Sequence, residues 1–138
     1  MRPIYERASD RTRQEEIMRA FCDRYGCDAV EMPALCAWDY EIRYCGEIVA
    51  LAEIKTRSKP AALYPDFMVS ERKVLRLREE ADRREIAPLL VVDHPDLRGW
   101  VRLDTVGYTV GIGGRKDRGD PADMETVARI LMAEFTPF

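Results

Sequence analysis

The sequence predicts an α/β domain on a mixed central sheet, and three observations carry that prediction. Ile17, Met18, Phe21 and Tyr25 recur at helical spacing ahead of any strand. A run of alternating polarity, Cys36 to Tyr44, then meets a continuous apolar run, Ile48 to Thr56, across a short turn, as in an antiparallel pair with the second strand covered on both faces. Last, a helical pattern from Ser70 to about Glu85 precedes the apolar run Pro88–Asp93, and a strand-helix-strand unit favours a right-handed crossover into the same sheet.

At 138 residues the chain is long enough for one cored domain and short for two. We expect a single domain over 1–138, with its core at about 10–93 and a C-terminal extension over 94–138. No apolar run reaches membrane-span length, and Met1–Arg7 lacks the apolar segment of a signal peptide, so a cytoplasmic protein with no membrane partner is expected. The net charge of −3 argues against a protein that coats nucleic acid through overall charge. Local cation clusters remain at Lys55–Lys59, Arg72-Lys73, Arg76, Arg78, Arg83-Arg84 and Arg115–Arg118. Cys22, Cys27, Cys36 and Cys45 form no CxxC pair and read as small buried thiols.

Asp10 is the expected N-cap of the first helix and Gly26 its stop. Gln14 shares the inward side with Ile17, Met18 and Phe21; Glu16 is on the solvated side and Glu15 on the boundary. Asp28–Met32 is a short strand closed by Pro33. In the next strand Trp38, Tyr40, Ile42 and Tyr44 occupy one face, and Asp39, Glu41 and Arg43 the other. Pro60 and Pro65 imply an irregular crossing over Ser58–Phe67. Ser70 caps the second helix, with Lys73 at its third position and Val74, Leu75, Leu77 and Ala81 as its apolar residues. His94–Gly99 reads as a turn, Trp100–Leu103 and Tyr108–Ile112 as further strands, and Gly113–Gly119 as a polar loop. Asp120-Pro121 should open a final helix with Met124, Val127, Ala128, Leu131 and Met132 inward.

The chemistry concentrates where the two central strands meet. Glu53 and Lys55 project to one face and Ile54 to the other. A carboxylate and an ammonium at the end of a two-sided apolar strand cost desolvation unless they pair or bind an ion. With Cys45, Gly46 and Glu47 as a three-residue loop, or with a bulge restoring that register, Asp39 faces Glu53 with β-carbons about 5 Å apart. A plain two-residue loop would set Asp39 against Ala52, on the wrong face. The Glu53-Ile54-Lys55 triplet alone reads as a partly buried ion pair; the Asp39 register and the element order make it a candidate site.

Asp39 followed by Glu53-Ile54-Lys55, between an N-terminal helix and a helix-strand pair, resembles the PD-(D/E)xK nuclease superfamily, and most closely its small phage-type and Holliday-junction-resolvase-like members. The resemblance covers roughly Gln14 to Val92. It implies a restriction-endonuclease-like α-β-β-β-α-β core, to which the C-terminal strands and helix are added. It also implies a metal-dependent nuclease acting on DNA phosphodiesters, branched or junction DNA included, with Mg²⁺ or Mn²⁺ as cofactor. By the same resemblance Asp39, Glu53 and the Ile54 carbonyl are metal ligands, and Lys55 contacts the scissile phosphate or orients the attacking water. Gln14, or Glu15 or Glu16, would match a first-helix site residue, and Lys73 a basic residue near the substrate. Trp38 precedes Asp39 where many members carry proline, and Gln14 leaves one carboxylate fewer than the common pattern.

The donor set suits such chemistry without the family. A hard divalent cation takes oxygen ligands, often one or two carboxylates plus water and phosphate. Bound there, it would make an acidic pocket attractive to a polyanion. Arg57 and Lys59, and Arg115 and Lys116 on the glycine-rich loop, are further candidate nucleic-acid contacts. A homodimer is a candidate arrangement, because two sites would cut two strands. The alternative reading is a nuclease-fold module that binds or regulates without turnover.

Overall fold

The computed structural model describes residues 8–114 and 124–138. Helix α1 (Ala8–Tyr25) leads into β1 (Asp28–Glu31), β2 (Tyr40–Tyr44) and β3 (Glu47–Thr56). A 3₁₀ turn (Ala61–Leu63) and β4 (Asp66–Ser70) precede α2 (Glu71–Arg83), then β5 (Ala87–His94), β6 (Leu97–Arg102), β7 (Thr109–Gly114) and β8 (Met124–Leu131). A second 3₁₀ turn (Met132–Glu134) and the short β9 (Thr136–Pro137) close the chain. The strands form a six-stranded sheet, β1-β2-β3-β5-β6-β9, and a three-stranded sheet, β4-β8-β7. In the larger sheet β3 and β5 run parallel and the other pairs antiparallel, so the expected mixed sheet is present.

Two apolar layers cover the larger sheet. On one face α1 packs Ile17, Met18 and Phe21 against Ile42, Ala52, Ile54 and Val91. On the other, Leu51, Leu90 and Val92 meet Val74 and Leu77 of α2 and Phe67, Val69, Ala128 and Ile130 of the small sheet. β3 is therefore covered on both faces from Ala50 to Ile54, while Val49 is exposed. Val101, Leu103 and Phe135 join the second layer, so residues past 94 are woven into the core.

The hairpin register comes from a bulge. Cys45 and Gly46 form a two-residue loop with φ of 51° and 81°, which pairs Tyr44 with Glu47. Positive φ at both positions suits the turn that follows the right-handed twist of its strands. The register then shifts, so that Arg43 pairs with Ile48 but Ile42 with Ala50, leaving Val49 as the extra residue. Tyr40 consequently pairs with Ala52, and Asp39, one residue earlier, lies beside Glu53.

Several expectations need correction. The last helix is absent: Met124–Leu131 is β8, hydrogen-bonded between β4 and β7. Its apolar spacing satisfies both periodicities, and two waiting strand partners decide in favour of extended backbone. Leu131 is exposed and Ile130 buried, the reverse of the helical assignment. Asp120 and Pro121 lie outside the described residues. β4 replaces the end of the irregular crossing, α1 begins at Ala8 so Asp10 is inside it, and β2 starts only at Tyr40. α2 ends at Arg83, with Glu85 at a φ of 59°, and Leu75 is exposed. Gly113 and Gly114 belong to β7; a Cβ on Gly113 would stand 2.9 Å from the Met68 sulfur. His94 is a buried strand residue whose Nδ1 lies 3.0 Å from the Lys59 carbonyl, not a turn residue. No cysteine is fully buried, and Cys45 is exposed on the turn.

Candidate active site

The site begins at Asp39, the residue just before β2. The Asp39 amide donates to the Ala52 carbonyl at 2.9 Å, and its own carbonyl accepts from Met32 N–H at 2.9 Å, so its backbone is held on both sides. Glu53 and Ile54 lie past the last β2 partner, and the Ile54 N–H donates instead to the Asp39 carboxylate (Oδ2, 2.7 Å). A strand residue presents its N–H and C=O on the same edge, so the Ile54 carbonyl also faces the Asp39 side.

Glu53 is buried, and its carboxylate (Oε1) has Lys55 Nζ at 3.4 Å and Lys73 Nζ at 3.9 Å. Lys55 reaches it by strand alternation. Lys73 reaches it from the first turn of α2, which Ser70 opens without a side-chain cap; the Ser70 hydroxyl donates to Glu125 (Oε2, 3.1 Å). Burial is the largest influence on both acids and pushes both carboxyls above their ordinary range. The charge of Asp39 raises Glu53 further, while Lys55 and Lys73 pull both acids back. For Asp39 the Ile54 N–H is the strongest such pull. Two adjacent carboxylates, Glu53 buried and Asp39 half-buried, with incomplete compensation favour a cation or a shared proton.

The other buried acid of this strand pair is neutralised. Glu41 is buried but lies 3.3 Å from both Arg43 and Arg84, whose guanidinium also stacks over Trp38. Among the described residues no group of three or more His, Cys, Asp and Glu side chains could hold a metal. The available donors are Asp39, Glu53 and the Ile54 carbonyl, an all-oxygen set with the low carboxylate count that leaves coordination positions for water and phosphate and so fits a hard divalent cation.

The remaining candidates separate. Lys55, Arg57 and Lys73 line one cleft. Lys59 is exposed and does not line it. Gln14 is half-buried on the helix that covers the opposite face of the sheet, and among the described residues no hydrogen bond joins it to either acid. Glu15 is exposed, 3.5 Å from Arg11, in a groove with Glu31 and Tyr40; Glu16 is exposed. Arg115 and Lys116 lie outside the described residues. Sequence reasoning missed Arg72 and Arg76 as cleft residues, although their spacing of four on one helix was the available signal.

A mixed sheet between helices, with an acid at the end of one central strand facing an acid-x-lysine strand, defines a PD-(D/E)xK nuclease. The chain belongs to the family described as "Phage putative PDDEXK endonuclease", whose model matches residues 1–138. The fold is similar to the 1.6 Å structure of Hjc, a Holliday junction resolvase from the archaeal hyperthermophile Archaeoglobus fulgidus. The TM-score is 0.61 with 13% identity, over 90% of each chain. No curated protein matches the chain.

Proposed function

We propose that this nuclease hydrolyses DNA phosphodiester bonds with a divalent cation, Mg²⁺ or Mn²⁺, held by Asp39, Glu53 and the Ile54 carbonyl. The observation that carries this reading is the facing carboxylate pair, Glu53 buried and Asp39 half-buried, with two lysines held against Glu53. When bound, the cation offsets phosphate charge and lowers the pKa of a coordinated water. Asp39, just before β2, and Glu53, in β3, would fix its position. Lys55, held beside Glu53, presents its ammonium to the scissile phosphate, where negative charge grows as the water oxygen bonds to phosphorus and the bond to the leaving oxygen breaks. Lys73 supplies a second positive charge from α2. Burial of Glu53 and partial burial of Asp39 limit the screening of these interactions by bulk water.

The resolvase likeness supports branched DNA as the preferred form, and paired cuts would follow from a homodimer. The test is cleavage of labelled linear, closed circular, single-stranded and four-way DNA with Mg²⁺ or Mn²⁺, against EDTA and a Lys55→Ala variant. Metal-dependent cutting is expected, reduced by roughly 10²- to 10³-fold in the variant, the cost of removing one transition-state stabiliser. A preference for four-way DNA would place it among structure-specific enzymes. No cutting of any form, with no Mn²⁺ uptake by calorimetry, would instead leave a nuclease fold that binds without turnover.

A further inference from the structure

Next to the carboxylate pair, between α2 and the small sheet, lies a cleft of about 480 Å³. Five of its lining residues are cations, Lys55, Arg57, Arg72, Lys73 and Arg76, against one acid, Glu125. This concentration occurs in a chain of net charge −3. We propose that the cleft carries the phosphate backbone of the nucleic acid away from the cut. Arg57, just past the end of β3, lines it together with Arg72 and Arg76 of α2, and Glu125 is a counter-charge that limits affinity. The proposal rests on the nuclease reading and adds the path and polarity of binding.

Three observations favour a polynucleotide. Arg72 and Arg76 are exposed, and no described carboxylate forms an ion pair with either. By contrast Arg83 and Arg84 pair with Glu80, Arg13 and Arg98 with Asp93, and Arg129 with Asp66. Four residues apart on one helix, the two arginines are separated by about 6 Å along its axis. A DNA strand presents one charge per roughly 3.4 Å of its axis, so the pair spans about two phosphate spacings and can meet two phosphates of one strand.

Arg57 is held in advance. Its N–H donates to the Asp93 carbonyl (2.8 Å), and its carbonyl accepts from Arg13 (2.9 Å), itself bound to the Asp93 carboxylate (2.9 Å). The Arg57 guanidinium stacks over Phe67, 4.8 Å from the ring centroid, and donates to the Thr56 carbonyl at 3.1 Å. None of these contacts neutralises its charge, and the fixed rotamer lowers the ordering cost of binding. Glu125, which accepts the Ser70 hydroxyl in the same cleft, repels phosphate there.

The experiment measures binding of labelled single-stranded, duplex and four-way DNA to the full chain in EDTA over a salt series, followed by cleavage kinetics with Mg²⁺. Arg72→Ala/Arg76→Ala should lower the slope of log K against log salt by about 1.4 on single strands and about 1.8 on duplex. Its KM should rise by more than its kcat falls. Glu125→Gln should tighten binding roughly two- to fivefold, the scale of an exposed charge interaction. A gain of affinity cannot come from misfolding, which keeps the test sound if the double variant is unstable. Unchanged slope together with unchanged Glu125→Gln affinity, in a wild type that cuts DNA, would overturn the path and leave the nuclease reading standing. Displacement of DNA by polyglutamate at equal charge would overturn it in favour of an acidic protein partner. A wild type that neither binds nor cuts would remove the nuclease reading itself.

Discussion

Asp39 and Glu53 are placed where ionising them is costly without a cation, and the cost is visible as pH dependence. Both carboxyls sit above their ordinary range in the folded chain, with burial as the main cause. A raised folded-state pKa means the native state holds protons that the unfolded chain releases. The contribution is fully present below the usual carboxylate pKa and is lost as pH rises through the raised folded values. Metal-free protein should therefore lose stability from this pair as pH climbs from acid toward neutral, and Asp39→Asn, which can still accept the Ile54 N–H, should flatten that loss. Thermal melts in EDTA from pH 4 to 8 check it; parallel profiles for wild type and variant would count against the pair. In the wild type Mn²⁺ at about one hundred times its Kd should restore about 2.7 kcal/mol, and in Asp39→Asn far less.

At the scale of the element, the β2-β3 hairpin shows how a short turn and an extra residue together place a site. Cys45 and Gly46 both take positive φ, which glycine accepts at no steric cost and cysteine does not. Gly46→Ala should destabilise the protein by about 1 kcal/mol, and Cys45→Asn should stabilise it by a few tenths, since asparagine tolerates this conformation. Denaturant midpoints that move in those opposite directions at constant m-value are the expected result. The sequence left open a three-residue loop or a bulge, because both keep Asp39 opposite Glu53; the twist of the paired strands favours the two-residue turn and passes the correction to Val49.

For the molecule as a whole, the second layer of the core depends on β8. Ile130 is fully buried between the small sheet and the larger one, whereas its neighbour Leu131 is 56% exposed. Ile130→Ala should cost about 2–5 kcal/mol as a cavity, while Leu131→Ala should stay within about 0.5 kcal/mol. A helix in this segment would give the opposite order, so the pair of measured stabilities decides between the two. The same layer seats α2 against the site face of the sheet, which brings Lys73 to Glu53 and sets Arg72 and Arg76 along the cleft.

The sequence by itself determined the order of α1, β1, β2, β3, α2 and β5, though not β4, the sharing of one face by Glu53 and Lys55, and the two-sided burial of β3. These follow from local periodicity, which the chain carries whatever its neighbours are. Only the tertiary structure decided that Met124–Leu131 is a strand, that Glu41 is neutralised by Arg84, that His94 is buried, and that Lys73 meets Glu53. Each depends on a partner tens of residues away, and an apolar or charged pattern that suits two environments is resolved by whichever partner the packed fold supplies.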